Sequence, residues 1–261
     1  MISVILSLYK QLDNIYLLLL ALSKQTYTDF EVIIAEDDDA PETLVFLESA
    51  RKQFNFDIRH VSQEDMGFRK MQIMNKAMVA AKGEYLVFLD GDCIPHHRLL
   101  EAYGKRLAPD TVCLGRRCYL DEKITKEILD TKDLGKLNFA NLILHASHLD
   151  RAFYMPWMGI GKPKRKVIGC NWAAPRKAIL DVNGYDEDYT IPRCGEDLDL
   201  DWRLRKLPNI KILNIKHEVI TYHLYHKVNY SEQQIEASRK MRIEKIERGL
   251  FFCKNGIKKI D

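Results

Sequence analysis

The first ninety residues alternate two kinds of segment, and that alternation is the strongest constraint on the fold. Short, β-branched, almost continuously apolar runs, ISVILSLY at 2–9 and EVIIA at 31–35, are separated by a helix-prone stretch over about 14–23. A run that is apolar on both faces must be covered on both faces, which places it inside a parallel sheet flanked by helices. The order continues with a helix near 42–54, a strand near 57–61, a helix near 69–81 and a strand over 85–89. This βαβαβαβ pattern predicts an α/β fold with a doubly wound half over residues 1–115, built on a mainly parallel central sheet.

Beyond Leu120 the periodicity weakens. Residues 121–150 read as charged helical segments, and 151–166 (RAFYMPWMGIGKPKRK) as an aromatic loop broken by Gly and Pro, the composition of a substrate-side insertion. A strand returns over 167–174, followed by a helix over 176–182, a helix opening in GEDLDLDWRLRKL and a strand over 211–222. These make a second half over 116–229. A charged helix over 231–250, with Ile235, Met241, Ile243 and Ile246 as its sparse apolar positions, opens a tail over 230–261.

Charge excludes one large class of partner. Lys plus Arg number 40 against 37 Asp plus Glu, a formal charge of +3, too balanced for a protein that lives on phosphate backbones, so no nucleic-acid partner is expected. The longest apolar run, Ile15 to Leu22, is far shorter than the ~18 residues a membrane span needs, and Lys10 and Asp13 interrupt any secretory-signal pattern. A cytoplasmic location is expected. The six cysteines (Cys93, Cys113, Cys118, Cys170, Cys194, Cys253) form no CxxC pair, which argues against zinc and disulfide frameworks.

Three acidic clusters carry the candidate chemistry. Asp90-Gly91-Asp92-Cys93 ends the strand at 85–89, and ligands of open α/β sheets sit beyond the carboxyl ends of strands. An Asp-x-Asp turn there can hold a hard divalent ion and a ribose or metal-bound water together, although Asp-Gly is also an ordinary turn. Glu196-Asp197-Leu198-Asp199-Leu200-Asp201 opens a helix. Capping accounts for the first acids, but crowded carboxylates also raise one pKa, which suits a general base. Glu36-Asp37-Asp38-Asp39 follows the second strand at the same edge of the sheet. His223 and His226, after the last strand, become metal ligands only if they lie near Asp92.

Further short segments appear in a fixed order along residues 1–227. They are the opening Ser3–Tyr9 strand, Gln25-Thr26-Tyr27, Glu36-Asp37, Gly67-Phe68-Arg69 with Asn75, and Asp90-Gly91-Asp92-Cys93-Ile94-Pro95. Gly169-Cys170-Asn171-Trp172, Gly184-Tyr185-Asp186-Glu187, Gly195-Glu196-Asp197-Leu198-Asp199-Leu200 and Tyr222-His223-Leu224-Tyr225-His226 complete the series. The set resembles the family 2 glycosyltransferases with the GT-A fold, in the branch of bacterial chondroitin polymerase modules and β-1,4-galactosyltransferase catalytic domains. Ser7, Lys10 and Met74 depart from residues usual in that family.

The resemblance implies an inverting, metal-dependent transfer of a sugar from a UDP-sugar to a hydroxyl of a growing glycan or lipid-linked glycan, as in bacterial capsule, lipopolysaccharide or other surface polysaccharide. It implies a Rossmann-like, nucleotide-sugar-binding half over 1–115 and an acceptor and catalytic half over 116–229, with Asp197 as base and Glu196 on the acceptor. It places Asp37, Glu36, Arg69, Asn75, Asp90 and Gly91 at the nucleotide sugar, and Asp92 with His223 or His226 at the metal, Mn²⁺ before Mg²⁺ if imidazole ligates. Trp157, Asn171 and Trp172, with Phe153 and Tyr154, are expected at the acceptor. A catalytically inactive nucleotide-sugar or glycan-binding module is the alternative. The basic tail, with Phe251 and Phe252, is weighed between a solvated helix and a peripheral contact with the inner face of a membrane.

Overall fold

The structure, a computed structural model, describes residues 1–162, 165–191, 195–227 and 232–260, with side chains in the last helix from 236 onward. Pro163, Cys194, Asp261 and the side chain of Ile235 lie outside the described residues.

The chain runs β1 (Ile2–Leu8), α1 (Leu12–Leu22), β2 (Phe30–Glu36), α2 (Pro41–Gln53), β3 (Asp57–Ser62), α3 (Lys70–Ala80), β4 (Tyr85–Asp90), β5 (Cys93–Pro95) and α4 (Leu99–Arg106). It continues through β6 (Thr111–Leu114), β7 (Arg116–Leu120), α5 (Glu122–Thr131), α6 (Phe139–His145), β8 (Ala146–Ser147), β9 (Asn171–Pro175) and α7 (Arg176–Asp181). The last elements are α8 (Glu196–Leu204), β10 (Lys211–Asn214), β11 (Ile220–His223) and α9 (Glu232–Glu247).

Seven strands form the main sheet in the order β10-β6-β9-β4-β1-β2-β3, and four form a smaller one, β5-β11-β7-β8. Around β1 the pairing is parallel, and its register sets Ser7 beside Asp90 and Leu8 beside Glu36, so the acidic ends of β2 and β4 flank one strand end. Val4, Leu6 and Leu8 of β1 join one apolar layer with α1, while Ile5 joins the layer under α3 and α8. Both faces are covered, as the uninterrupted apolar runs require.

Several expectations change in the second half. Residues 167–170 are a loop, because the backbone N–H groups of Val167 and Gly169 bond Asp201 and Asp197 instead of a neighbouring strand. Only β9 is strand, and it is antiparallel to β4 and β6. The single strand expected over 211–222 is broken by a turn in which Glu218 and Val219 donate to the Ile215 carbonyl, so β10 joins the main sheet and β11 the small one. The unrecognised β7 holds Arg116 and Arg117, whose charges mask its strand character; Arg116 is buried and satisfied by the carbonyls of Gly115 and Lys166.

The tail folds back on the body. Met241 packs against the second apolar layer, Cys253 is buried, and the charges of Lys245 and Lys259 are taken up by Asp186, Asp188 and Glu187. This docking gives no support to the membrane contact considered for the tail, although Phe251 is exposed. Among the described residues no helix is long and apolar enough to cross a membrane, and the five described cysteines are buried free thiols.

Candidate active site

A cavity of about 770 Å³ opens at the carboxyl ends of β1, β2 and β4 and is closed on its far side by α8 and the 167–169 loop. Gly91 permits the tight turn after β4, since any side chain there would strike the Ser7 carbonyl. Asp90, Gly91 and Asp92 therefore face the cavity directly.

At one wall, antiparallel pairing of β5 with β11 sets His223 opposite Cys93 and brings both to Asp92. The Nε2 atoms of His223 and His226 each lie 3.3 Å from Asp92 Oδ2. Burial would raise the Asp92 pKa, but the His226 hydrogen bond, the His223 charge and the Cys93 thiol outweigh it and hold the carboxyl well below its usual range. Burial, more than any neighbour, lowers the His223 pKa, while the Asp92 carboxylate pulls it the other way. Asp92, Cys93 and His223 have ligand atoms within 4.8 Å of one another. Burial and the neighbouring Cys170 push the Cys93 thiol up, so it is the weakest donor of the three.

On the opposite wall, Gly195 opens α8 in a left-handed conformation (φ 98°) that a side chain would strain, and sends Glu196 and Asp197 into the cavity. Asp197 accepts the Gly169 N–H at 2.6 Å and the Tyr185 hydroxyl at 3.3 Å. A Cβ at residue 169 would lie 3.0 Å from its carboxylate, so only glycine lets that N–H approach without displacement. Burial and then the Glu196 charge raise the Asp197 pKa to about 7, against the opposing pull of Lys70. Glu196 Oε2 has no hydrogen-bond partner among the described residues.

Sequence reasoning missed the two cations between these walls. Lys70 Nζ is 2.5 Å from Asp90 Oδ1, and Arg117 lies 3.7 Å from Asp90 Oδ2. Lys70 was legible only as the neighbour of Arg69, and Arg117 as one of two adjacent arginines.

Of the expected nucleotide-binding residues, Asp37 lines the cavity and accepts from Gln63 at 2.6 Å and from the Arg69 N–H at 2.8 Å. Glu36 does not line it: its buried carboxylate is spent on Thr43, Ala40 and His60. The Arg69 side chain turns back to the Glu64 carbonyl, and Asn75 is buried against the backbone of Tyr185 and the Glu187 carboxylate. Neither side chain reaches the cavity.

The acceptor group is dispersed. Asn171 is buried and bonded to Tyr103, Arg116, Val219 and Thr221, while Trp172 is core, stacked on Phe88 with centroids 4.2 Å apart. Phe153 meets Phe139 and Tyr154 stacks on His96. Trp157 alone stays largely exposed, at 77%, outside the cavity lining.

The family model for glycosyl transferase family 2 matches residues 3–156. This chain belongs to that family. Among its relatives, chondroitin synthase from Escherichia coli is 30% identical over 228 residues, 78% of this chain and 32% of that protein. The uncharacterized glycosyltransferase YfnE of Bacillus subtilis is 27% identical over 264 residues, 87% of this chain and 65% of its own length. The chain thus spans about a third of the first relative and just under two thirds of the second. Among solved structures, mannosyltransferase PcManGT from Pyrobaculum calidifontis, in complex with GDP-Man and Mn²⁺, superposes with a TM-score of 0.63 at 15% identity, covering 95% of this chain and 64% of that one. Staphylococcus aureus TarS 1-349 in complex with UDP-GlcNAc gives 0.62 at 15% identity, covering 94% and 66%. These likenesses establish the GT-A fold.

Proposed function

We propose that this glycosyltransferase moves a sugar from a UDP-sugar to a hydroxyl of a growing surface glycan, free or lipid-linked, with inversion at the anomeric carbon. The observation that carries the reading is a carboxylate held near neutrality, Asp197, facing an Asp-Gly-Asp strand end flanked by two imidazoles across one cavity. Asp197 takes the proton of the acceptor hydroxyl as its oxygen attacks the anomeric carbon; the bond to the diphosphate breaks on the opposite face and the diphosphate leaves with the electron pair. Glu196, with an unspent oxygen in the same wall, holds a further acceptor hydroxyl. Asp37 accepts from the uracil, and Asp90 meets the ribose. Lys70 and Arg117 stand beside Asp90 where negative charge builds on the departing group.

The donor set of one carboxylate and two imidazoles fits a divalent ion, and favours Mn²⁺ over Mg²⁺. Asp92, His223 and His226 would hold such an ion, whose chemistry there would be positive charge for the diphosphate. The nucleotide-sugar complexes of the two fold relatives support the donor class, and the TarS complex supports a uridine nucleotide. The division into a catalytic body, 1–229, and a tail belongs to the same reading.

The test is Asp197→Asn. UDP and Mn²⁺ should still bind by calorimetry while transfer falls by roughly two to four orders of magnitude, the contribution of a positioned base. Equal loss of donor binding would make Asp197 a donor ligand instead. A panel of UDP- and GDP-sugars with product detection identifies the donor.

A further inference from the structure

The turn that supplies the hydroxyl partner of Asp197 is held from the far end of the chain. Tyr185 lies in the connection after α7, where Asn183 and Gly184 both adopt left-handed backbone (φ 67° and 71°). Three separate elements grip this connection. Asn75 of α3 accepts the Tyr185 N–H at 2.8 Å and donates to its carbonyl at 2.9 Å. Arg203 of α8 donates to the carbonyls of Val182 and Gly184, each at 2.7 Å.

The third grip comes from residues 253–260. The Asn183 side chain donates to the carbonyls of Cys253 and Lys258 at 2.7 and 2.8 Å and accepts the Lys258 N–H at 2.8 Å. The Asn183 carbonyl accepts the Ile257 N–H at 3.0 Å, and the Asn255 carbonyl accepts the Glu187 N–H at 2.8 Å. Lys245 in α9 bridges Asp186 and Asp188 at 2.7 and 2.6 Å. A tail serving only to cover apolar surface needs few directional bonds. Here most of them converge on one short connection, and the side chain at its centre points at Asp197. Burial, then the Asp197 charge, keeps the Tyr185 phenol protonated and therefore a donor.

We propose that the C-terminal segment 253–260 is a clasp that positions the catalytic base, fixing the Tyr185 hydroxyl against Asp197 through Asn183. Asn183 and Tyr185 are positioning residues, and the inference rests on the reading of Asp197 as the base.

The experiment uses the full chain. Asn183→Gly keeps the left-handed backbone and removes the three side-chain bonds to the segment. It should lower kcat by about ten- to a hundredfold, the cost of a misplaced catalytic group, while donor KM and calorimetric UDP–Mn²⁺ binding stay unchanged. Tyr185→Phe should lower kcat similarly, and the double variant should lose little more, because both act through one hydroxyl.

The acid limb of the kcat profile should move to higher pH in each variant, since losing a donor to a carboxylate raises its pKa. The other groups facing Asp197 among the described residues, Glu196 on its own helix, Lys70 of α3, Asp90 of β4 and the Gly169 N–H, are untouched by these changes. If Asn183→Gly does not fold, Asn183→Asp, which keeps the acceptor and tolerates left-handed backbone, should show the same split.

A lowered melting temperature with unchanged kcat would make the segment a fastener only and overturn the clasp, as would losses that multiply in the double variant. Near wild-type transfer by Asp197→Asn would instead sink the base assignment itself. An inactive Asp197→Asn beside a fully active Asn183→Gly would remove the clasp alone.

Discussion

Lys70 stands between the two acidic walls: it is in contact with Asp90, and its charge opposes the burial that raises Asp197. Its own pKa is lowered by burial but raised further by Asp90, so it remains a cation through the working range. Replacing it with Met removes a positive charge that favours the ionised form of Asp197, the proposed base. The Asp197 pKa should then rise above about 7 and the acid limb of the kcat/KM profile should move to higher pH, read from rates across a buffer series. An unmoved limb would dissociate Lys70 from the base. Residue by residue, the carboxylates were legible where main-chain register dictated their place: a strand-end Asp-Gly-Asp has nowhere else to go. Glu36, Asn75 and Asn171 lie away from the cavity because their partners, such as His60, Tyr185 and Val219, come from segments distant in the sequence. No local pattern distinguishes a polar side chain spent inside the fold from one left for a ligand.

Helix α8 shows how one acidic run divides between two tasks. Glu196 and Asp197, in its first turn, face the cavity. Asp199 and Asp201, one step further round the helix, are buried and pair four residues on with Arg203 and Arg205 at 2.7 and 2.8 Å. Asp201 also accepts the Val167 N–H, which fixes the loop carrying Gly169. The surplus of acids that pointed to catalysis is thus half structural, and the i, i+4 arginines in DLDWRLR were the overlooked sign. Asp199→Ala leaves the Arg203 guanidinium buried without its carboxylate, and should lower unfolding free energy by about 3–5 kcal/mol in urea titrations. A loss below about 1 kcal/mol would mean that the Val182 and Gly184 carbonyls suffice for Arg203. Elements built from local period, β1 to β4 and α1 to α3, were read from sequence nearly to the residue. Strands β5, β6 and β7 were not: at three to five residues they are too short to show a clear period, and in β7 two arginines mask the apolar positions.

Over the whole molecule, the first half was legible as a sheet, but its boundary near residue 115 divides the sequence more sharply than the structure does. Strands β9 and β10 from the second half complete the main sheet, and β5 from the first half lies in the small one. The site therefore exists only once both halves have folded, with Asp92 from one and His223 and Asp197 from the other in a single cavity. That sharing predicts how ligands stabilise the chain. In the proposed reading a nucleotide with its ion would span the cavity from Asp37 to α8, whereas the ion alone would meet only Asp92, His223 and His226, and UDP alone would lack the ion's charge on its diphosphate, with Lys70 and Arg117 already paired to Asp90. Ligand at 100 times its Kd stabilises by about 2.7 kcal/mol, which for a chain of this size raises the melting temperature by about 5–10 °C. UDP with Mn²⁺ should give that shift, and each component alone should give little. Asp92→Ala should fold normally, lose the joint shift and lose metal-dependent turnover. An equal rise with UDP alone, preserved in Asp92→Ala, would show that the nucleotide binds without the ion and would remove Asp92, His223 and His226 from metal binding.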